Sequence, residues 1–202
     1  MTIRAVIFDF GGVLIRSQDE SGRRKWEARL GLSEGELAGV VFGCDASARA
    51  TVGKLPSEAV WQDLAGRFGL EPAELRELQH DFWSGDVFDA ELMQFLRDLR
   101  PRYKTAILSN AWPNARELFI EHFGIGSAVD DMIISAEEGV AKPDPRIYRI
   151  AAERLGVALH EAVFVDDMEE NVEAARQLGM RGVQFRSTPQ ALAEVQAYLD
   201  GE

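Results

Sequence analysis

The chain has 202 residues, 46% of them hydrophobic, enough for one core and a modest inserted subdomain. Lys+Arg 22 against Asp+Glu 34 leave a formal charge of -12, which argues against nucleic-acid or anionic-membrane partners, since both need a basic surface. No apolar run is long enough to span a bilayer, no signal-peptide core precedes the first apolar stretch, and the lone Cys44 has no partner for an intramolecular disulfide. These features predict a cytoplasmic protein.

Ala5-Val6-Ile7-Phe8 is a short apolar run that reads as a buried strand, and it stops at a single carboxylate, Asp9. Gly11 and Gly12 follow, letting the backbone turn sharply and approach whatever Asp9 touches. From residue 16 to residue 86 the pattern is helix-like and holds no convincing strand. Trp26, Leu30, Leu32 and Leu37 mark one apolar face; Val60, Leu64, Phe68, Leu75, Leu78 and Phe82 mark another. Breaks at Gly31, at 53–57 and at 69–72 divide this stretch into four antiparallel helices, with Ser57 and Glu58 at a capping position. The chain returns to its main domain near Ser84-Gly85-Asp86. The expected division is a core of residues 1–15 and 87–202 with a helical insertion of residues 16–86.

From there strands and helices alternate. Asp89 is placed to cap an amphipathic helix carrying Leu92, Phe95, Leu96 and Leu99. Strands are predicted over 104–109, 132–135, 162–165 and 182–185. Helices open at Pro113, Pro145, Glu169 and Pro189, and Gly124, Gly156 and Gly179 close the first three. Such alternation implies an α/β fold, a Rossmann-like parallel sheet covered by helices with right-handed crossovers. Trp112 is read as packing against the helix that Pro113 begins. Cys44 and the three histidines, His80, His122 and His160, show no ligand or catalytic spacing and are read as structural or solvated.

Three of these strands end in polar groups: Asp9, then Ser109-Asn110, then Asp166-Asp167. In a parallel sheet those ends share one edge, so the groups converge, with Lys142 in a loop on the same edge. Three carboxylates cannot crowd together ionised without a cation, and an oxygen-only donor set points to a hard ion, most simply Mg2+. Mg2+ and a lysine beside a hydroxyl and several backbone N–H groups make a phosphate site, with Asp9 free to act as the nucleophile.

Phe8-Asp9-Phe10-Gly11-Gly12-Val13-Leu14, Leu108-Ser109-Asn110, Lys142-Pro143-Asp144-Pro145 and Val165-Asp166-Asp167-Met168-Glu169-Glu170-Asn171 together resemble the four ordered motifs of the haloacid dehalogenase (HAD) superfamily. The resemblance covers essentially the whole chain. The helical insertion resembles the C1 cap of the subfamily that holds many small-metabolite phosphatases. By this resemblance the catalytic residues are Asp9 as nucleophile, Ser109 as phosphoryl ligand and Lys142 as neutralising cation. Gly12, Ser109, Asn110 and Lys142 would bind substrate. Asp9, the backbone carbonyl of Gly11, Asp166 and Asp167 would hold Mg2+, and Asn171 would brace the last loop. The implied function is a Mg2+-dependent phosphatase of a small phosphorylated metabolite, acting as a monomer or homodimer.

One position departs from the pattern. Phosphatases of this superfamily usually carry a second aspartate two residues after the nucleophile as general acid and base, where this chain has Gly11. Such help is typically worth about 10²–10⁴ in rate. Two rival readings therefore stand beside the phosphatase: a 2-haloacid dehalogenase, whose nucleophile attacks carbon and needs no metal, and a non-catalytic phosphometabolite-binding module. Within the insertion, Arg49 and Lys54 are the basic residues placed to be tested for substrate recognition.

Overall fold

All four residues of β1 (Ala5–Phe8) are apolar and fully buried, which suits a strand covered on both faces. The computed structural model describes residues 2–201. β1 lies at the centre of a five-stranded parallel sheet, between β4 (Lys104–Ser109) and β6 (Ala162–Asp166). Outside them lie β5 (Asp131–Ile134) and β7 (Arg181–Gln184), giving the order β5-β4-β1-β6-β7. Alternate residues serve opposite faces. Val6, Phe8, Ile107, Val163 and Val165 meet α6 (Ala90–Leu99), α7 (Ala115–Glu121) and α11 (Thr188–Asp200) on one side. Ala5, Ile7, Ala106, Leu108 and Phe164 meet α9 (Pro145–Leu155) and α10 (Glu169–Gln177) on the other. This is the α/β architecture that the alternation predicts. No helix among the described residues is long and apolar enough to cross a membrane.

The insertion differs from the expectation in two ways. It contains five helices, not four: α1 (Ser21–Leu30), α2 (Glu36–Gly43), α3 (Asp45–Thr51), α4 (Ser57–Phe68) and α5 (Pro72–Trp83). The extra break is Cys44, extended in backbone, whose Sγ accepts the Ser47 N–H at 3.3 Å and so caps α3. Pro56, not Ser57, precedes the first turn of α4. The stretch also holds strand. β2 (Ile15–Ser17) pairs antiparallel with β3 (Asp86–Phe88), so both crossings between sheet and helices run through one two-stranded ribbon. Arg16 donates to Asp89 at 2.6 Å, and the Thr188 hydroxyl donates to the same carboxylate at 2.5 Å, tying the ribbon to α11. The five helices close around their own cluster, with Trp26, Leu37, Val60, Leu78 and Phe82 at its centre.

Most other boundaries move by a residue or two. The helix expected from Pro113 to Gly124 is shorter, since Trp112 to Asn114 form a turn before α7. Ser135, assigned to the end of a strand, opens the short helix α8 (Ser135–Glu138). Asp89 caps α6 through Leu92 N–H, and Asp144 caps α9 ahead of Pro145, both as read from sequence.

Candidate active site

The carboxyl ends of β1, β4 and β6 are neighbours, and the helices that follow β4 and β6, α7 and α10, cover opposite faces of the sheet, which opens a crevice there. Asp9 follows the last residue of β1, Ser109 ends β4 and Asp166 ends β6; all three are buried. The structure thus brings together residues spread over most of the chain.

Lys142 is the hub. Its ammonium lies 2.8 Å from Asp9 Oδ1 and 2.6 Å from Asp166 Oδ2, with the Phe164 ring 5.5 Å away. A buried ammonium so placed offsets the cost of two buried carboxylates. Burial works against its charge, but the two carboxylates together hold its pKa above the ordinary lysine range. Burial pushes the Asp9 carboxyl up to about 7, with Lys142 pulling it down and Asp166 pushing it further up. Asp167 is also raised, first by burial and then by the charge of Asp166.

Asp166 is fixed on every side. It accepts the Met168 N–H at 2.8 Å, and the Asn171 amide donates to both of its oxygens at 3.1 Å. The Tyr148 hydroxyl donates to the Asn171 carbonyl at 2.9 Å, so α9 braces the loop through Asn171. Asp9 Oδ1 also accepts the Phe10 N–H at 2.7 Å, which leaves Oδ2 as the oxygen with no hydrogen bond to the chain.

The glycines after Asp9 have different jobs. Gly12 sits at φ +77°, and a Cβ there would fall 2.3 Å from Asp167 Oδ2, so the backbone approaches that carboxylate as only glycine allows. Gly11 meets no such limit: a Cβ there would have nothing within 4 Å.

Asn110 is engaged elsewhere than expected. Its Oδ1 accepts the Lys142 N–H at 2.8 Å and its Nδ2 donates to the Lys142 carbonyl at 2.9 Å, so both ends of the amide clamp the lysine's backbone. Sequence reasoning missed Ser135, whose Oγ accepts from Ala111 N–H at 3.0 Å and donates to Ala111 carbonyl at 3.2 Å, pinning the loop after β4. It also misplaced Trp112. The indole donates to Ser47 Oγ at 3.2 Å and packs on Phe42 and Trp61, in the insertion instead of on α7. Arg49 pairs with Asp45 at 3.8 Å on the surface of α3.

Asp9, Asp166 and Asp167 each bring a carboxylate oxygen within 4.8 Å of the others. Three carboxylates against one ammonium leave an unbalanced negative charge, and the donors are all oxygen. Such a set fits a hard divalent cation.

The family model for haloacid dehalogenase-like hydrolase matches residues 3–179. Phosphatase MT3486 of Mycobacterium tuberculosis (strain CDC 1551 / Oshkosh) is 31% identical over the whole chain and 99% of its own length. The HAD family enzyme BT-2542 of Bacteroides thetaiotaomicron superposes with a TM-score of 0.76 at 21% identity, covering 92% of this chain and 96% of that one. L-2-haloacid dehalogenase of Xanthobacter autotrophicus gives 0.67 at 26% identity, over 97% of this chain and 83% of that one. Two other curated relatives are much longer, and the chain spans 39% and 19% of their lengths. With its four motifs gathered at one sheet edge and the family model matching from the first strand past the last of them, the chain belongs to the haloacid dehalogenase-like hydrolases.

Proposed function

We propose that this chain is a Mg2+-dependent phosphatase of small phosphorylated metabolites, with Asp9 as nucleophile. One observation carries the reading: a buried carboxylate, Asp9, is held by Lys142 within an all-oxygen cluster that fits a divalent cation. Its Oδ2 has no hydrogen bond to the chain, and that oxygen is the one to attack phosphorus. The P–O bond to the leaving group breaks with its electron pair going to the leaving-group oxygen, leaving an acyl phosphate on Asp9. Water then attacks the phosphorus, which frees inorganic phosphate and the Asp9 carboxylate, and the surplus proton passes to solvent.

Lys142 offsets the charge of nucleophile and phosphoryl group, while the Ser109 hydroxyl and the N–H groups of the turn after β1 receive phosphoryl oxygens. Asn110 serves this reading as a positioning residue for Lys142. Asp9, Asp166, Asp167 and the Gly11 carbonyl would hold Mg2+, which supplies positive charge that keeps the carboxylates ionised and polarises the phosphoryl group. BT-2542, of the same fold, was solved in complex with magnesium and inorganic phosphate, and Phosphatase MT3486 carries the activity in its name. Residues 16–86 act as a cap over the core of residues 1–15 and 87–202, and the ribbon of β2 and β3 is its hinge.

Similarity to the Xanthobacter dehalogenase supports a second reading, in which Asp9 attacks carbon and halide leaves. The acid cluster weighs against it, because that chemistry has no use for a cation site. Hydrolysis of an aryl phosphate that requires Mg2+, stops on chelation and is lost in Asp9→Asn is the expected result. Halide release from a 2-haloacid, indifferent to chelator and without phosphate release, would replace the phosphatase with the dehalogenase.

A further inference from the structure

Five aromatic rings meet where the insertion faces the loop after β4. Phe42 of α2 lies 5.7 Å from Trp112 and 6.0 Å from Trp83, and Trp61 and Phe82 stand behind them at 6.4 Å and 4.7 Å from Trp83. Trp112 is three residues beyond Ser109, so this wall begins at the sheet edge that carries Asp9 and Lys142. Trp61 and Phe82 are buried and account for the packing of the insertion. Phe42 and Trp83 pack on Phe82 with one part of each ring and leave 49% and 43% of their surface exposed, Phe42 lying against the Trp112 ring of the loop after β4. Exposed aromatic surface reached within three residues of the buried Ser109 at the end of β4 has the composition of a ligand-binding wall.

Two further facts narrow the ligand. The cation stacked on this wall, Arg23 over Phe82 at 4.5 Å, is already paired with Asp86 at 3.2 Å, so the wall offers an apolar face with its nearest cation neutralised. Position 11 presents no side chain, and the space where one would point is open. A leaving oxygen there meets no proton donor from that position. Aryl oxides depart without one; alkoxides do not.

Resting on the phosphatase reading, we propose that Phe42, Trp83 and Trp112 form the leaving-group subsite and that the substrates are aryl phosphomonoesters. The ring stacks against Phe42 and Trp83. Asp9 takes the phosphoryl group, and the bonding pair leaves on the aryl oxygen, which is protonated later by solvent.

The test compares phenyl phosphate, cyclohexyl phosphate and acetyl phosphate in wild type, Phe42→Ser, Trp83→Ser and, as a surface control, Leu118→Ser on α7. Wild type is expected to hydrolyse phenyl phosphate at least about 10²-fold faster than cyclohexyl phosphate. The phenyl-to-acetyl ratio of kcat/KM should fall about tenfold in Phe42→Ser and Trp83→Ser and stay level in Leu118→Ser. As a readout apart from turnover, intrinsic tryptophan fluorescence should show phenylphosphonate binding wild type about tenfold more tightly than methylphosphonate, with the preference lost in Phe42→Ser. Because each ring is only partly packed, the serine variants should fold with a modestly lowered melting temperature; if one does not fold, the wild-type substrate and phosphonate preferences decide alone. Equal phosphonate affinities, or ratios that neither variant moves, would overturn the aryl subsite while acetyl phosphate turnover kept the phosphatase reading. Turnover of no phosphate compound, acetyl phosphate included, would overturn both.

Discussion

Gly12 and Asp167 fit each other so closely that a single added carbon on Gly12 would fall 2.3 Å from the Asp167 carboxylate. The Gly11-Gly12 pair and the Asp166-Asp167 pair, more than 150 residues apart, are therefore one structural unit. Gly12→Ala is predicted to cost about 1–2 kcal/mol from its left-handed backbone and to push the Asp167 carboxylate out of the acid cluster. Activity should fall and the Mg2+ concentration for half-maximal activity should rise together. Unchanged Mg2+ dependence in a folded Gly12→Ala protein would contradict this.

Asn110 tests whether Lys142 must be held. With both ends of its amide on the Lys142 backbone, Asn110→Ala frees the loop that aims the ammonium. kcat is expected to fall by up to about 10²-fold with a much smaller change in KM, because misplacement of a charged group acts mainly on the transition state. Asn110→Asp keeps the acceptor for Lys142 N–H and should lose less. A loss confined to KM would instead mark Asn110 as a substrate contact.

The raised Asp9 pKa has a consequence for the protein stripped of metal. Unfolded, this carboxyl gives up its proton near 3.8; folded, burial makes it hold the proton up to about 7. Between those values the folded state binds the extra proton, so this group's contribution to stability falls as pH rises and the full penalty is present above 7. Asp9→Asn removes the penalty. Melted in chelator at pH 8, the variant should exceed wild type, by about 2–4 °C for each kcal/mol relieved, and the gap should close toward pH 4. A constant gap across that range would show that Asp9 does not titrate as its burial dictates.

Position 11 invites the opposite kind of change. Since nothing lies within 4 Å of a Cβ there, Gly11→Asp should fold normally and place a proton donor beside the leaving oxygen. Hydrolysis of cyclohexyl phosphate is expected to rise by at least about 10²-fold, the lower end of general acid–base assistance. Phenyl phosphate should gain far less. Equal gains, or none for the alkyl ester, would contradict this account of the missing acid.

Much of the site was legible because each of its acids ends an apolar run. Asp9 after Phe8 and Asp166 after Val165 stand where buried parallel strands must stop, and a parallel sheet puts such ends on one edge. The ribbon was not legible, because Ile15–Ser17 and Asp86–Phe88 are three residues each and find one another only across the whole insertion. The break between α2 and α3 was missed because its cap is a cysteine sulfur, outside the usual Ser, Thr, Asp and Asn signals. Asn110 and Trp112 were visible as residues but not as contacts: their partners, Lys142 and Ser47, lie 32 and 65 positions away.

The central claim is that the phosphoryl group passes through Asp9. A single turnover of phenyl phosphate with excess enzyme and Mg2+, quenched in acid and mapped by peptide mass, tests it most directly. Phosphate on the peptide holding Asp9, absent when chelator is added first and absent in Asp9→Asn, is the result predicted. Phosphate released at full rate with no labelled peptide, or by Asp9→Asn as readily as by wild type, would contradict it.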